Sequence, residues 1–195
     1  MGGFVSSLTC FYPLVTFNKL EQAFPNMTKV ELINYFHSAY PELSIDFNYI
    51  RGYSEDDLIK LKRVYDIEIQ GEFLEFLTYM GCCSGGLFGD QPLRFYQERE
   101  TITSEVLFQS RFWNELQRIQ RFDLLTKKPF FISKENDNFY FLLTKSNNPD
   151  LVYFFDKKHD EIINTGLTFN EYLRGLINYN GIEIPLDQSG NLLII

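Results

Sequence analysis

Residues 129–156 read PFFISKENDNFYFLLTKSNNPDLVYFFD, and this stretch decides the fold. Three apolar, aromatic and β-branched segments stand in it: Pro129 to Ser133, Phe139 to Thr144, and Leu151 to Phe155. Two polar breaks separate them, Lys134 to Asn138 and Lys145 to Asp150, rich in the Asn, Asp and Pro that turns favour. The pattern predicts three consecutive antiparallel strands, a meander. The middle segment has no polar alternate position across Phe139, Tyr140, Phe141, Leu142 and Leu143. A strand of that kind is central and covered on both faces, at least partly by helices. The expected class is α+β, a mostly antiparallel central sheet covered by helices.

The flanking chain supplies the cover. Upstream, a short helix is expected over Phe17 to Phe24 and another over Thr28 to Tyr40, with Val30, Ile33 and Phe36 inward and Pro41 ending it. Leu43 to Ile50 alternates apolar and polar residues and reads as a strand, and Gly52 as a break. On this reading residues 1–52 form an N-terminal extension packed on a main domain of residues 53–195, one globular unit overall. Ser54 caps a helix bearing Leu58, Leu61 and Tyr65, with Asp56 and Asp57 in its first turn. A second helix, Glu72 to Met80, presents Phe73, Phe76, Leu77 and Met80 and stops at Gly81. Cys82 to Gly89, CCSGGLFG, is a tight glycine-rich loop, followed by a short strand within Phe88 to Tyr96. A helix from Thr103 or Ser104 to about Phe122 spaces Phe108, Phe112, Leu116 and Ile119 at helical intervals. Its basic residues, Arg111, Arg118 and Arg121 among them, read as a solvated face. Past the meander come a short strand over Asp160 to Asn164 and a closing helix, Phe169 to Ile177, with Thr168 and Glu171 as its capping box. The tail after Gly181 reads as two short strands about Gln188–Ser189–Gly190, docked because Leu192 to Ile195 is too apolar to leave exposed.

With 45 % hydrophobic residues, 20 Phe and 12 Tyr, the 195-residue chain can bury a sizeable core. Its formal charge of −8 disfavours direct nucleic-acid binding and suits a cationic partner. The acidity is strongest in residues 134–195, which hold five basic and nine acidic side chains. Three Cys, two adjacent, do not build a disulfide framework, and reduced thiols in a cytoplasm are the simpler account. No apolar run reaches membrane-span length, so no membrane association is expected. Gly2 and Ser6 satisfy the loose myristoylation pattern, against the plainer reading of a buried N-terminal strand or arm.

In order, the segments SEDDLIKLKRVYDIEIQGEFLEFLTYMG, CCSGG, PFFISKENDNFYFLLTK, DLVYFFD and LTFNEYLRGLI resemble the SUKH superfamily, the killer-toxin-resistance homology group related to yeast cell-wall-synthesis regulators. The family's helix pair leads into paired glycines, matched by Gly85 and Gly86. Its next strands look like Phe131, Tyr140–Phe141–Leu142 and Val152 to Asp156, and its closing segment like Phe169 to Leu173. The resemblance covers roughly residues 54–178. Asn138 stands where the family often has glycine, and Leu143–Thr144 replaces its aspartate. The resemblance implies a non-enzymatic immunity protein that binds and neutralises a cognate toxin domain, basic if a nuclease, and needs no cofactor. A regulatory or scaffold protein of the yeast type is the alternative.

A second alternative is a metal-dependent hydrolase built on Asp156, His159, Asp160 and Glu161, the one constellation of metal-ligand types. Those residues also suit an ordinary turn. His37 lies in an apolar helix. Cys82 and Cys83 lack a nearby His, and SGGLFG lacks the spacing and Lys of a phosphate loop. A binding surface therefore leads. The candidate partner-binding residues are the acids Glu135, Asp137, Asp156, Asp160 and Glu161, with Tyr96, Tyr140 and Tyr153 as aromatic anchors.

Overall fold

The computed structural model describes residues 27–88, 93–96, 102–135, 138–177 and 184–193. Strands β1 (Pro129–Glu135), β2 (Asn138–Leu143), β3 (Leu151–Asp156) and β4 (Glu161–Thr168) form one antiparallel sheet in the order β1-β2-β3-β4. The expected meander is present, in an α+β fold, and a fourth strand continues it. β4 is longer than Asp160 to Asn164 because it crosses an irregularity opposite Val152. There the Thr165 hydroxyl donates to Val152 O at 2.7 Å, and Gly166 takes a φ of +73°. Pairing then resumes between Thr168 and Leu151.

Side chains alternate across β2, and both faces are covered. Phe139, Phe141 and Leu143 pack with Phe131 and Phe155 beneath α4 (Ile102–Arg118) and α5 (Phe122–Leu125), through Phe112, Leu116 and Leu124. Leu142 and Tyr140 face the other way with Phe130, Ile132 and Val152. That second face meets α1 (Lys29–His37), α2 (Glu55–Val64), α3 (Gly71–Met80) and α6 (Phe169–Leu176). Phe169 sets two edge-to-face pairs there, at 5.5 Å from Phe73 and 5.3 Å from Phe76. Local caps start α1, α2 and α6. The Ser54 hydroxyl accepts Asp57 N–H, and Thr28–Glu31 and Thr168–Glu171 are full capping boxes.

Several expectations from the sequence are corrected. Leu43 to Ile50 is not a strand: its backbone closes local turns, Leu43 N–H to Tyr40 O and Tyr49 N–H to Asp46 O, with the Asp46 carboxylate accepting Asn48 N–H. The alternation survives as packing, with Leu43 and Ile45 against the core and Phe47 and Tyr49 exposed. Val30 is exposed and Leu32 takes its place in the core. Gly52 is a close approach, since a Cβ there would lie 2.0 Å from Thr78 O. Gly81 ends α3 in a right-handed conformation; Gly85 and Gly86 carry the positive φ angles. Near Phe88 to Tyr96 the described residues form only an isolated bridge, Leu93 to Ser133, and in the tail only Ser189 to Cys83. The tail is docked all the same: Tyr65 Oη–H donates to Leu192 O at 2.7 Å, and Leu192 N–H donates to Tyr53 Oη at 2.8 Å. The helix expected over Phe17 to Phe24 and the Gly2 pattern lie outside the described residues.

α4 does more than lay an apolar stripe on the sheet. Gln109, fully buried, gives its Nε2–H to Phe131 O and takes Phe131 N–H on Oε1, both at 2.9 Å. The amide thus acts as one residue of a neighbouring strand along the outer edge of β1. Trp113 Nε1–H donates to Pro129 O at 3.0 Å one step along. Glu105, also buried, accepts the second Gln109 proton and pairs with Arg94, whose backbone N–H reaches Ile132 O. A buried backbone group left without a partner costs about 1–3 kcal/mol. Gln109→Leu strands both groups of Phe131, so its unfolding free energy in urea should fall by about 2–4 kcal/mol. Truncating the exposed neighbour Leu107 to Ala should change it by less than about 0.5 kcal/mol. Equal effects of the two substitutions would refute this role for the amide.

Candidate functional site

The sheet register assembles the acids that the sequence scattered. Glu135 pairs with Asn138, Asn138 with Asp156, and Asp156 with Glu161, so the four residues form one row across all four strands. β1 ends and β2 begins at this end of the sheet, and the β3–β4 turn leaves from it. Asp137 lies outside the described residues.

The β3–β4 turn is built by Asp156. Its Oδ1 accepts Lys158 N–H at 2.9 Å and His159 N–H at 3.3 Å, and its Oδ2 meets His159 Nδ1 at 2.6 Å. The His159 contact, with those backbone donors, holds the Asp156 carboxyl below its usual range. Asp160 takes the left-handed conformation at φ +56°, which Asp tolerates, and meets Arg118 of α4 through a two-pronged pair with Nη1–Oδ2 at 2.9 Å. Glu115 lies between Arg118 and Lys157, at 2.8 Å from each. The rim therefore carries both signs, and α4 is linked to the turn. Glu135 is half-buried and accepts from Tyr172 Oη–H at 3.3 Å. Glu161 is exposed and makes no side-chain hydrogen bond or ion pair with a described residue.

The aromatic anchors do not share one surface. Tyr96 is fully buried and donates to Met80 O at 2.8 Å, so it is a core residue, which corrects its assignment to an interface. Tyr140 stacks on Tyr172 at 5.0 Å, and Tyr153 on Phe141 at 5.8 Å. They stand on opposite faces of the sheet, each half-buried.

The chemistry-bearing residues are tied into the fold. His159 is turned to Asp156 and Asp160 to Arg118, and among the described residues no three His, Cys, Asp or Glu side chains converge to hold a metal ion. His37 Nε2 meets Leu43 O at 2.9 Å. Burial pushes the Cys82 thiol up to about 11, away from a reactive thiolate. In the glycine-rich loop, Gly85 O accepts Asp46 N–H at 2.9 Å, and a Cβ on Gly85 would lie 2.4 Å from Asp46 O. The described part of the loop, through Phe88, is packed against residues 44–46. No described helix is long and apolar enough to cross a membrane.

Two features escaped the sequence reading. The first is a groove of about 370 Å³ beside the acidic row, between α4 and the sheet, with Phe112 and Phe139 in its floor and Arg111 and Lys134 on its rim. Its signal was the basic character of α4. The second is a half-buried carboxylate pair. Asp150 accepts Glu72 N–H at 2.8 Å at the start of α3, and Glu72 accepts Asn170 N–H at 2.7 Å at the start of α6. Each acid caps a helix distant in sequence, a position favourable to negative charge. Burial nonetheless pushes Glu72 up to about 7, and it raises Asp150 too. A carboxyl whose folded value is raised stabilises fully below its unfolded value of 4.5, and that stability is lost as pH rises through about 7. Unfolding free energy should therefore drop by about 2–3 kcal/mol between pH 4.5 and 7.5 on account of Glu72. Glu72→Gln, which keeps an acceptor for Asn170 N–H, should flatten that slope in denaturant titrations; an unaltered slope refutes the assignment.

The chain matches no family profile, no curated protein and no solved structure.

Proposed function

We propose that this chain is a non-enzymatic protein-binding domain that acts as an immunity protein, seizing a cognate toxin domain at the hairpin end of its sheet. The observation that carries the reading is the register row Glu135–Asn138–Asp156–Glu161. It presents carboxylates from three strands at backbone positions fixed by the sheet register, and His159 and Tyr172 further hold the Asp156 and Glu135 side chains before a partner arrives. Pre-ordered charge of this kind raises association rates and selects partners by complementary potential. The SUKH resemblance supplies the partner class, a toxin domain that is basic if it acts on nucleic acid. The mixed sign of the rim adds specificity, because a uniformly basic surface meets Lys157, Lys158 and Arg118 as well as the acids. The unbridged Cys82 and Cys83 fit a cytoplasmic site of action, where incoming toxin would be met.

The proposal requires a toxin gene directly upstream of this one, and co-expression of the two tests it. The wild-type chain should restore growth, and no protection would refute the function. Glu135→Lys with Glu161→Lys and Asp156→Asn, the last keeping the turn's acceptor, should slow association at low salt by tenfold or more. Unchanged kinetics would place the interface elsewhere.

A further inference from the structure

We propose that the groove between α4 and the hairpin end of the sheet receives an acidic segment of the partner, seating an aromatic side chain between the partner's carboxylates. This rests on the protein-binding reading and names the chemistry of one contact. The groove's 370 Å³ is enough for one or two side chains, at the lower end of ligand clefts, which run from about 300 to 1,000 Å³.

Its floor is aromatic and its rim is cationic. Phe108, Phe112 and Phe139 line the bottom, with Phe112 and Phe139 centroids 6.3 Å apart. Arg111, Lys134 and Lys157 stand around them, against the single carboxylate of Glu115, which Lys157 and Arg118 already neutralise. Arg111 and Lys134 are exposed and make no ion pair with a described residue. On a chain of net charge −8, this is a local inversion of sign. It attracts carboxylates, and Asn114 at the same rim can bond a peptide backbone.

The ring geometry separates an inserted side chain from a stacked base. Phe108 has Phe131 stacked on it at 4.9 Å and the Arg94 guanidinium at 4.3 Å. Phe112 is almost wholly buried, and Lys134 sits 5.5 Å from the Phe139 centroid. The floor offers crowded rings to an inserting apolar group, where single-strand binders present open aromatic faces along a basic track. Net charge also opposes a polyanion.

The probe is N-acetyl-Asp-Phe-Asp-amide, titrated into the ¹⁵N-labelled full chain at low salt. The expected result is saturable shifts at Phe108, Arg111, Lys134 and Phe139, weakened by salt. Arg111→Glu with Lys134→Glu, both exposed and so compatible with folding, should weaken binding at least tenfold, and the double Gln variant by less. The Lys-Phe-Lys analogue should not bind, and Asp-Ala-Asp should bind more weakly. Equal affinity for the three peptides, shifts confined to other surfaces, or tighter binding of a thymidine pentanucleotide would each overturn the proposal. The assay needs no toxin, so peptide binding by a chain that fails to protect cells supports the groove and defeats only the immunity reading. Protection that persists alongside absent peptide binding overturns the groove alone.

Discussion

Phe131 lies on the outer edge of the sheet under a helix, and its backbone N–H and C=O are both answered by the side-chain amide of Gln109. Much of the architecture depends on that exchange. An edge strand can be buried only if its free backbone groups find partners, and a helix offers none from its own backbone. Gln109, Trp113 and the Arg94–Glu105 pair supply them from side chains and from a neighbouring segment. The requirement also sets where α4 lies. With Gln109 held at Phe131 and Trp113 at Pro129, the next turns carry Phe112, Glu115 and Arg118 toward β2 and the β3–β4 turn. The groove and the ion pairs of the rim follow from that placement.

The second organising feature is a sheet with no wet face in its middle strand. Phe141 and Leu142 are both fully buried, one under α4 and the other toward α2, α3 and α6. Burial of a Phe or Leu side chain contributes roughly 1.5–3 kcal/mol, so the two-sided strand is a large share of the driving force. The aromatic residues add edge-to-face geometry, which restricts how α3 and α6 approach each other. Tyr53 and Tyr65 then bind Leu192, tying the tail to α2 through buried hydroxyls.

Charge on this protein is local in its effects. The net value of −8 predicts an acidic exterior. At the hairpin end, however, Arg118, Lys157 and His159 engage Asp160, Glu115 and Asp156, and Arg111 and Lys134 stand beside an aromatic floor. A partner meets an arrangement of both signs held by short contacts. Specificity of this kind arises from position, which a count of charges does not contain.

The sequence by itself determined the meander, the capped helices and the need for cover on both sheet faces. Those features are written in neighbours one to four residues apart: the Thr168–Glu171 box, the Ser54 cap, the unbroken Phe139–Leu143 run. It misled at Leu43 to Ile50, whose alternation sits on a backbone that closes turns, and at Tyr96, a residue type favoured at interfaces whose hydroxyl is bound in the core to Met80 O. Of the candidate site, the acids were legible as residue types, but their alignment into a row was not, since register is set by pairing between strands. Only the tertiary structure decided that Gln109 would serve a strand edge, that Glu72 and Asp150 would cap distant helices, and that Tyr140 and Tyr153 would part company. Each of these depends on contacts between segments remote along the chain, and no local pattern encodes which remote group will arrive.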